Sequence, residues 1–316
     1  MKCTNEPELS CDIQPLDRRS VNLFQISIMS LFALCATGEL AEVRAALERG
    51  EDVNERERFN TTMLMYATLV EGKIPLLKLL LEQPTIEVNL AAAGQGFTAL
   101  HMAVVDGKIE AMTVLLMDPR VDVNCKTSER ETPLIFAAKE AERFDKLQLL
   151  LADERVDVNC AAVYPGIAGE FTALMVATAQ YNLKAVKLLL DDERVDVNWF
   201  SSNDFTALHL PTAFKDVKNG ILELFLSHPR VDVNCRRGSD GATVLHNAVH
   251  NSNVEAVRLI LDEPRFTSHN TLEENEGTSA LGLAAIKGHW EMLKDLVQHP
   301  KVDLALSGLG PDDLIR

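Results

Sequence analysis

An acidic residue followed by Val-Asn returns along this chain with a near-constant step. The phrase ends at Asn54, Asn89, Asn124, Asn159, Asn198 and Asn234, at intervals of 35, 35, 35, 39 and 36 residues. Such a period constrains the fold more than length does, because copies of one supersecondary unit stack in a line instead of wrapping a single core. The frame runs on in steps of 35 and 36 to His269 and Ala305, where the asparagine is lost. A second phrase keeps phase with the first, as "TMLMYA" at Thr62, "TALHMA" at Thr98, "TPLIFA" at Thr132 and "TALMVA" at Thr172. It continues as "TALHLP" at Thr206, "TVLHNA" at Thr243 and "SALGLA" at Ser279, with a weak first copy "MSLFAL" at Met29. Together the phrases mark eight units over residues 21–306, with a polar segment 1–20 before them and a tail 307–316 after them.

Each unit reads as two helices. The Thr is an N-cap residue that starts the first helix. Gly107 and Gly288 stand where that helix must end in a left-handed residue and the chain reverse. The second helix carries leucines on several faces, as at Leu76, Leu77, Leu79, Leu80 and Leu81. A helix apolar most of the way round needs neighbours on both sides, which a stack supplies and one helix pair does not. Pro84, Pro119, Pro229, Pro264 and Pro300 end the second helices.

Thr132-Pro133-Leu134, Thr98-Ala99-Leu100-His101, the paired helices and the Val-Asn approach to a turn resemble ankyrin repeats over nearly the whole chain. The resemblance implies an all-α solenoid of stacked helix-turn-helix units with β-turn or hairpin loops. It implies that His101, His209 and His246 bond across the turn opening the first helix. Partners are then expected on the turn tips and first helices, which form one concave side. Two features depart from the family pattern. Most units are lengthened before the Val-Asn, where "HPRVDVN" replaces the usual "GADVN". Pro211 and Val217 replace an alanine and the turn glycine, which makes the stretch around Ala213 to Asn219 the irregular part of the stack.

Lys plus Arg number 31 against 47 Asp plus Glu, a formal charge of −16 that repels nucleic-acid phosphates and anionic membrane surfaces alike. The first 20 residues lack the apolar run of an export signal, and the most apolar stretch, "IPLLKLLL" from Ile74, is too short to span a bilayer. Six scattered cysteines without a CxxC or CxxH pair fit a reduced intracellular setting, cytoplasmic with the nucleus left open. Cys125, Cys160 and Cys235 follow Val-Asn in equivalent places. Packed helices stand about 8–10 Å apart, beyond the roughly 7 Å reach of a disulfide, so these cysteines read as small core residues. Arg120, Arg155, Arg194, Arg230 and Arg265 precede Asp122, Asp157, Asp196, Asp232 and Thr267 by two residues. They are expected to form parallel rows of opposite charge that register the stack, each exposed pair worth about 0–1 kcal/mol. No phosphate loop, zinc motif or catalytic set recurs, so no enzyme, cofactor or metal is expected.

Function is sought where the units differ. The residue before each motif Thr is Phe97, Phe171 and Phe205 in three units, either an apolar stripe for a partner or rings packed on the adjacent turn. Thirteen steps separate Asn159 from Thr172, against eight from Asn124 to Thr132, which makes a longer finger containing Tyr164 and Pro165. Trp199 and Phe200 then stand where Cys125 and Lys126 stand two units earlier, and Phe214 lies near the end of the next first helix. Aromatic anchors are enriched at binding hot spots and enlarged loops carry function. Phe97, Tyr164, Phe171, Trp199, Phe200, Phe205 and Phe214 are therefore expected near a partner site, the other reading being local repacking around Trp199. The expected role is a monomeric adaptor or competitive inhibitor, whose acidic concave face favours a basic surface or peptide. The asparagines have two readings. Their side chains shape the turn through local backbone bonds. By resemblance, Asn89, Asn124, Asn159, Asn198 and Asn234 are instead targets of an asparaginyl hydroxylase, each with a leucine eight positions before it (Leu81, Leu116, Leu151, Leu190 and Leu226).

Overall fold

A computed structural model of the protein describes residues 30–37, 39–140, 144–163, 169–213, 220–272 and 277–306. Within them sixteen α-helices form eight successive pairs. These are α1 (Leu31–Thr37) with α2 (Leu40–Glu48), α3 (Met63–Leu69) with α4 (Ile74–Leu81), α5 (Ala99–Val105) with α6 (Ile109–Leu116), and α7 (Pro133–Lys139) with α8 (Phe144–Leu151). Then come α9 (Ala173–Ala179) with α10 (Leu183–Asp191), α11 (His209–Thr212) with α12 (Ile221–Ser227), α13 (Val244–His250) with α14 (Val254–Asp262), and α15 (Ala280–Ile286) with α16 (Trp290–Gln298). Between α8 and α9 lies an antiparallel hairpin, β1 (Ala161–Val163) and β2 (Glu170–Thr172), in which Ala162 faces Phe171.

The caps explain where the first helices begin. Side-chain oxygens of Thr62, Thr132, Thr172 and Ser279 each accept the backbone N–H three residues on. In the first unit Ser30 does so for Ala33 at 3.3 Å, so that unit starts one residue later than the Met29 phrase suggests. Gly107 and Gly288 reverse the chain at φ 67° and 68°, as expected, and Tyr181 and Ser252 hold the same left-handed turn at 55° and 60°. In the sixth unit α11 spans four residues around Pro211, and Asn247 of the next unit donates to His209 O at 2.9 Å and Thr212 Oγ1 at 2.7 Å. Val217 and the rest of 214–219 lie outside the described residues.

First helices pack in one row and second helices in another. The first row meets through buried alanines such as Ala99, Ala103, Ala137, Ala138, Ala173 and Ala177. The second meets through larger side chains, Leu77, Met112, Leu147, Val186, Leu222 and Val257, all fully buried. Smaller residues allow closer approach, which bends such a stack toward its first-helix side.

The seam between units is made by the Val-Asn phrase. Asn124 Oδ1 accepts the Asp157 N–H at 2.7 Å, and its Nδ2 donates to Arg155 O at 2.8 Å. Asn54, Asn89, Asn159, Asn198 and Asn234 repeat both bonds at 2.7–2.9 Å. The asparagine side chain thus reaches the next unit, correcting the expectation of a purely local role. Shaping the turn falls to the acid two residues earlier, as where Asp157 Oδ1 accepts the Asn159 N–H at 3.1 Å. Nor is the asparagine lost in the seventh unit. Asn270, one residue beyond His269, accepts from Asp303 N at 2.7 Å and donates to Lys301 O at 3.0 Å.

The arginine row caps helices. Arg155 donates to Leu116 O at 2.6 Å and Asp118 O at 3.3 Å, at the C-terminal end of the preceding unit's α6. Arg120, Arg194, Arg230 and Arg265 do the same for Leu81, Leu151, Leu190 and Leu226. The last carbonyls of a helix lack partners and carry partial negative charge, so a guanidinium there satisfies both needs. This geometry overturns the expected pairing with the following Asp row. Arg120, Arg155 and Arg194 pair instead with Asp118, Asp153 and Asp192, two residues before them, and Arg265 with Glu263. Turned back toward the helix end, the guanidinium meets those acids and leaves Asp122 and Asp157 to the turns.

Asn124→Ala removes two seam bonds and leaves the Asp157 N–H and Arg155 carbonyl without a protein partner. The expected loss is about 1–3 kcal/mol, read as a lower urea midpoint by circular dichroism.

Candidate partner-binding face

The turn tips share one backbone device. Two residues before the motif Thr or Ser the chain is left-handed, at Asn60, Gly96, Arg130, Asp204, Gly241 and Gly277, with φ between 56° and 77°. The residue that follows it lies half-buried or buried: Thr61, Phe97, Glu131, Phe205, Ala242 and Thr278. This position therefore packs against its neighbours before it meets anything else.

Two of the three expected phenylalanines sit in small aromatic clusters. The Phe97 ring stacks on His101 with centroids 5.8 Å apart and meets Phe136 edge-on at 5.4 Å. Lys139 Nζ lies 4.8 Å from the Phe136 ring centre and pairs with the buried Glu131 carboxylate. Phe205 meets His209 edge-on at 5.9 Å, and the Arg237 guanidinium, paired with Asp240, lies 5.1 Å over its ring. Phe171 departs from the expected stripe. At 3% exposure it is buried on β2, paired across the hairpin with Ala162, and offers no surface. Trp199 is half-buried against the core, while its neighbour Phe200 is 43% exposed. Tyr164 and Phe214 lie outside the described residues.

Other apolar groups on this side were not anticipated. Phe136 stands four residues after Thr132, as Tyr66 does after Thr62, and Tyr66 pairs with Phe32 at 5.5 Å. That shared place in the phrase was the available signal. Val163 on β1 is half exposed. Phe59 is 80% exposed in a left-handed conformation at φ 61°, which no local sequence rule assigns to a phenylalanine.

Charge on this side differs from expectation. Over the described tips and first helices the cations are Arg56, Arg58, Lys126, Arg130, Lys139, Arg236 and Arg237. They are matched one for one by Glu55, Glu57, Glu129, Glu131, Glu170, Asp204 and Asp240. Glu273, Glu274 and Glu276 of the last tip lie outside the described residues. The acidic excess sits instead on second helices and the turns leaving them, as at Asp191, Asp192, Glu193 and Asp196. The premise for a basic partner on the described inner face is thereby removed.

The seam does bring thiols to imidazoles, which spacing along the chain had hidden. Cys125 Sγ lies 3.2 Å from Thr98 Oγ1 and 3.5 Å from His101 Nδ1, and Cys235 Sγ lies 3.6 Å from Thr206 Oγ1. A nucleophilic pair needs a thiol made more acidic beside a proton-accepting base. Burial does the reverse here, pushing Cys125 and Cys235 up to about 11 and His101 and His209 down to about 4. The histidines are structural. His101 Nδ1 accepts the Thr98 N–H at 3.3 Å, as the family pattern implies, which leaves Nε2 to donate across the seam to Glu131 O at 3.2 Å. His246 does the same with Thr243 and Thr278. Among the described residues no group of three His, Cys, Asp or Glu is arranged to hold a metal ion, and no helix is long and apolar enough to cross a membrane. In the five Val-Asn turns considered for hydroxylation, Asn89 is exposed and the others are half-buried, all with the amide engaged at both ends.

The buried histidines set a pH dependence. His101, His209 and His246 are each lowered to about 4, first by burial, with Asp122 facing His101 and Arg237 and Asp240 facing the other two. An unfolded histidine takes up its proton near pH 6.5, before the folded one does. Stability is therefore full above about pH 6.5 and falls as pH drops toward 4, by up to about 3 kcal/mol per histidine. Urea midpoints measured from pH 7.5 to 4.5 should show this slope, and His246→Asn should flatten it.

A family model described as "Ankyrin repeats (3 copies)" matches the chain at residues 70–162, 134–218 and 213–306. No curated protein matches it.

Proposed function

Because the chain belongs to the ankyrin-repeat family, we propose that it is a non-catalytic protein-interaction scaffold, an adaptor or competitive inhibitor, that holds a protein partner on its tips and first helices. The observation that carries this reading is the set of exposed and half-exposed rings, Phe59, Phe97, Phe200 and Phe205, on a face whose described charges balance. Aromatic side chains of this kind anchor interfaces, while a face whose opposite charges are equal in number offers a partner little net attraction. The partner chemistry that fits is an apolar or aromatic surface, more than a basic peptide. We propose an intracellular, monomeric setting for it, on the scattered cysteines of the sequence.

Affinity purification from its own cells followed by alanine scanning tests the reading. Phe59→Ala and Phe200→Ala should weaken the captured partner about tenfold or more while leaving the urea midpoint in place. Phe171→Ala should instead cost about 3–5 kcal/mol of stability. Association should change little between low and high salt. A partner held equally well by both exposed-ring variants would overturn the assignment. A mass gain of one oxygen on Asn89 or its counterparts, with no stoichiometric partner, would favour the hydroxylase-substrate reading.

A further inference from the structure

The last described unit exposes apolar side chains whose counterparts one unit earlier are covered or half-covered. Helices α14 and α16 are each nine residues long and lie 36 residues apart in register, so Val254, Val257, Arg258 and Leu261 correspond to Trp290, Leu293, Lys294 and Val297. On α14, against which α16 packs, Val257 is fully buried, Leu261 is at 5% exposure and Val254 is half-buried. On α16 Trp290 is 66% exposed, Val297 47%, and Leu293 half-buried. The described face of α16 is thus an apolar stripe open at Trp290 and Val297.

The α14–α16 seam also shows what such a face receives. Arg258 donates to Glu291 at 2.8 Å and to Asp295 at 2.7 Å, two acids one helical turn apart on the incoming helix. Lys294 stands in the place of Arg258, exposed, and makes no ion pair with any described residue. The α16 face thus repeats both halves of a working receptor, an apolar stripe and a cation set to one side of it. We propose that this face is a second docking surface, and that its occupant is an acidic amphipathic helix of a partner protein, with two carboxylates at i and i+4 against Lys294 and its apolar stripe on Trp290, Leu293 and Val297. It is distinct from the tips and first helices, and it can hold or fail independently of them.

Trp290 is a built-in reporter, since the chain has two tryptophans. In a Trp199→Phe background the probe is a helix-stapled peptide copying residues 289–299 with Trp290→Leu, the helix that packs on the equivalent face of α14. Binding should shift Trp290 emission to the blue. Lys294→Glu should weaken it at least about fivefold, and a peptide with both carboxylates changed to lysine should recover that loss. Trp290→Ala, followed by hydrogen exchange, should weaken it tenfold or more. Hydrogen exchange over α15–α16 in the unaltered protein reads the same site should Trp199→Phe fail to fold. No protection of α15–α16 at millimolar peptide, or binding indifferent to Lys294→Glu, would overturn the proposal. So would a concentration-dependent dimer abolished by Trp290→Ala, which gives the face to a second copy. A blue shift lost on deleting residues 307–316 alone would give it to the chain's own end.

Discussion

The two hydrogen bonds of an asparagine amide to the next unit's backbone set the geometry of this molecule. A carboxamide offers an acceptor atom and a donor atom on a short, rigid arm, and the seam uses both on groups two residues apart in the next unit. That pairing fixes the position of the following turn, the turn fixes where the motif Thr starts the next first helix, and the rest of the unit follows. An aspartate there would satisfy only the acceptor half of it. The arginine caps act on the same seam from the other side, tying each turn to the helix that ended the unit before.

Polar groups in the seam are nearly all spent on structure. Histidines, threonines and cysteines that would make a reactive cluster elsewhere are here buried, mutually bonded and shifted away from reactive ionisation. The same economy holds on the inner face, where Lys139, Arg130 and Arg237 already have carboxylate partners. The surface offered for recognition is chiefly apolar, in rings at the tips and in the stripe on α16.

Much of this was legible along the chain because period and local chemistry are local properties. The Thr caps, the left-handed Gly107 and Gly288 and the proline stops depend on residues a few positions apart. What was hidden depends on residues 24 to 39 positions apart. Asn124 finds its partners in the next unit, Cys125 meets His101 in the previous one, and the guanidinium of Arg155 turns toward a helix end that no spacing rule marks. The net charge was likewise visible as a total but not as a distribution, so the described inner face proved balanced while the second helices carry the acid. Phe97, Phe171 and Phe205 share one place in the phrase and part company only in three dimensions, where the hairpin closes over the middle one.

The hairpin carries a broader consequence. The rung from Asn159 to Asp196 spans 37 residues where its neighbours span 33 or 34, yet its bond is 2.7 Å, like theirs. The added length is absorbed wholly between β1 and β2 and leaves the seam unaltered. Lengthening a loop whose ends are already held close costs only a few tenths of a kcal/mol per added residue or less. This tip is therefore a natural graft site: a foreign segment joined in the register of Val163 and Glu170 would be displayed by the protein without being felt by it.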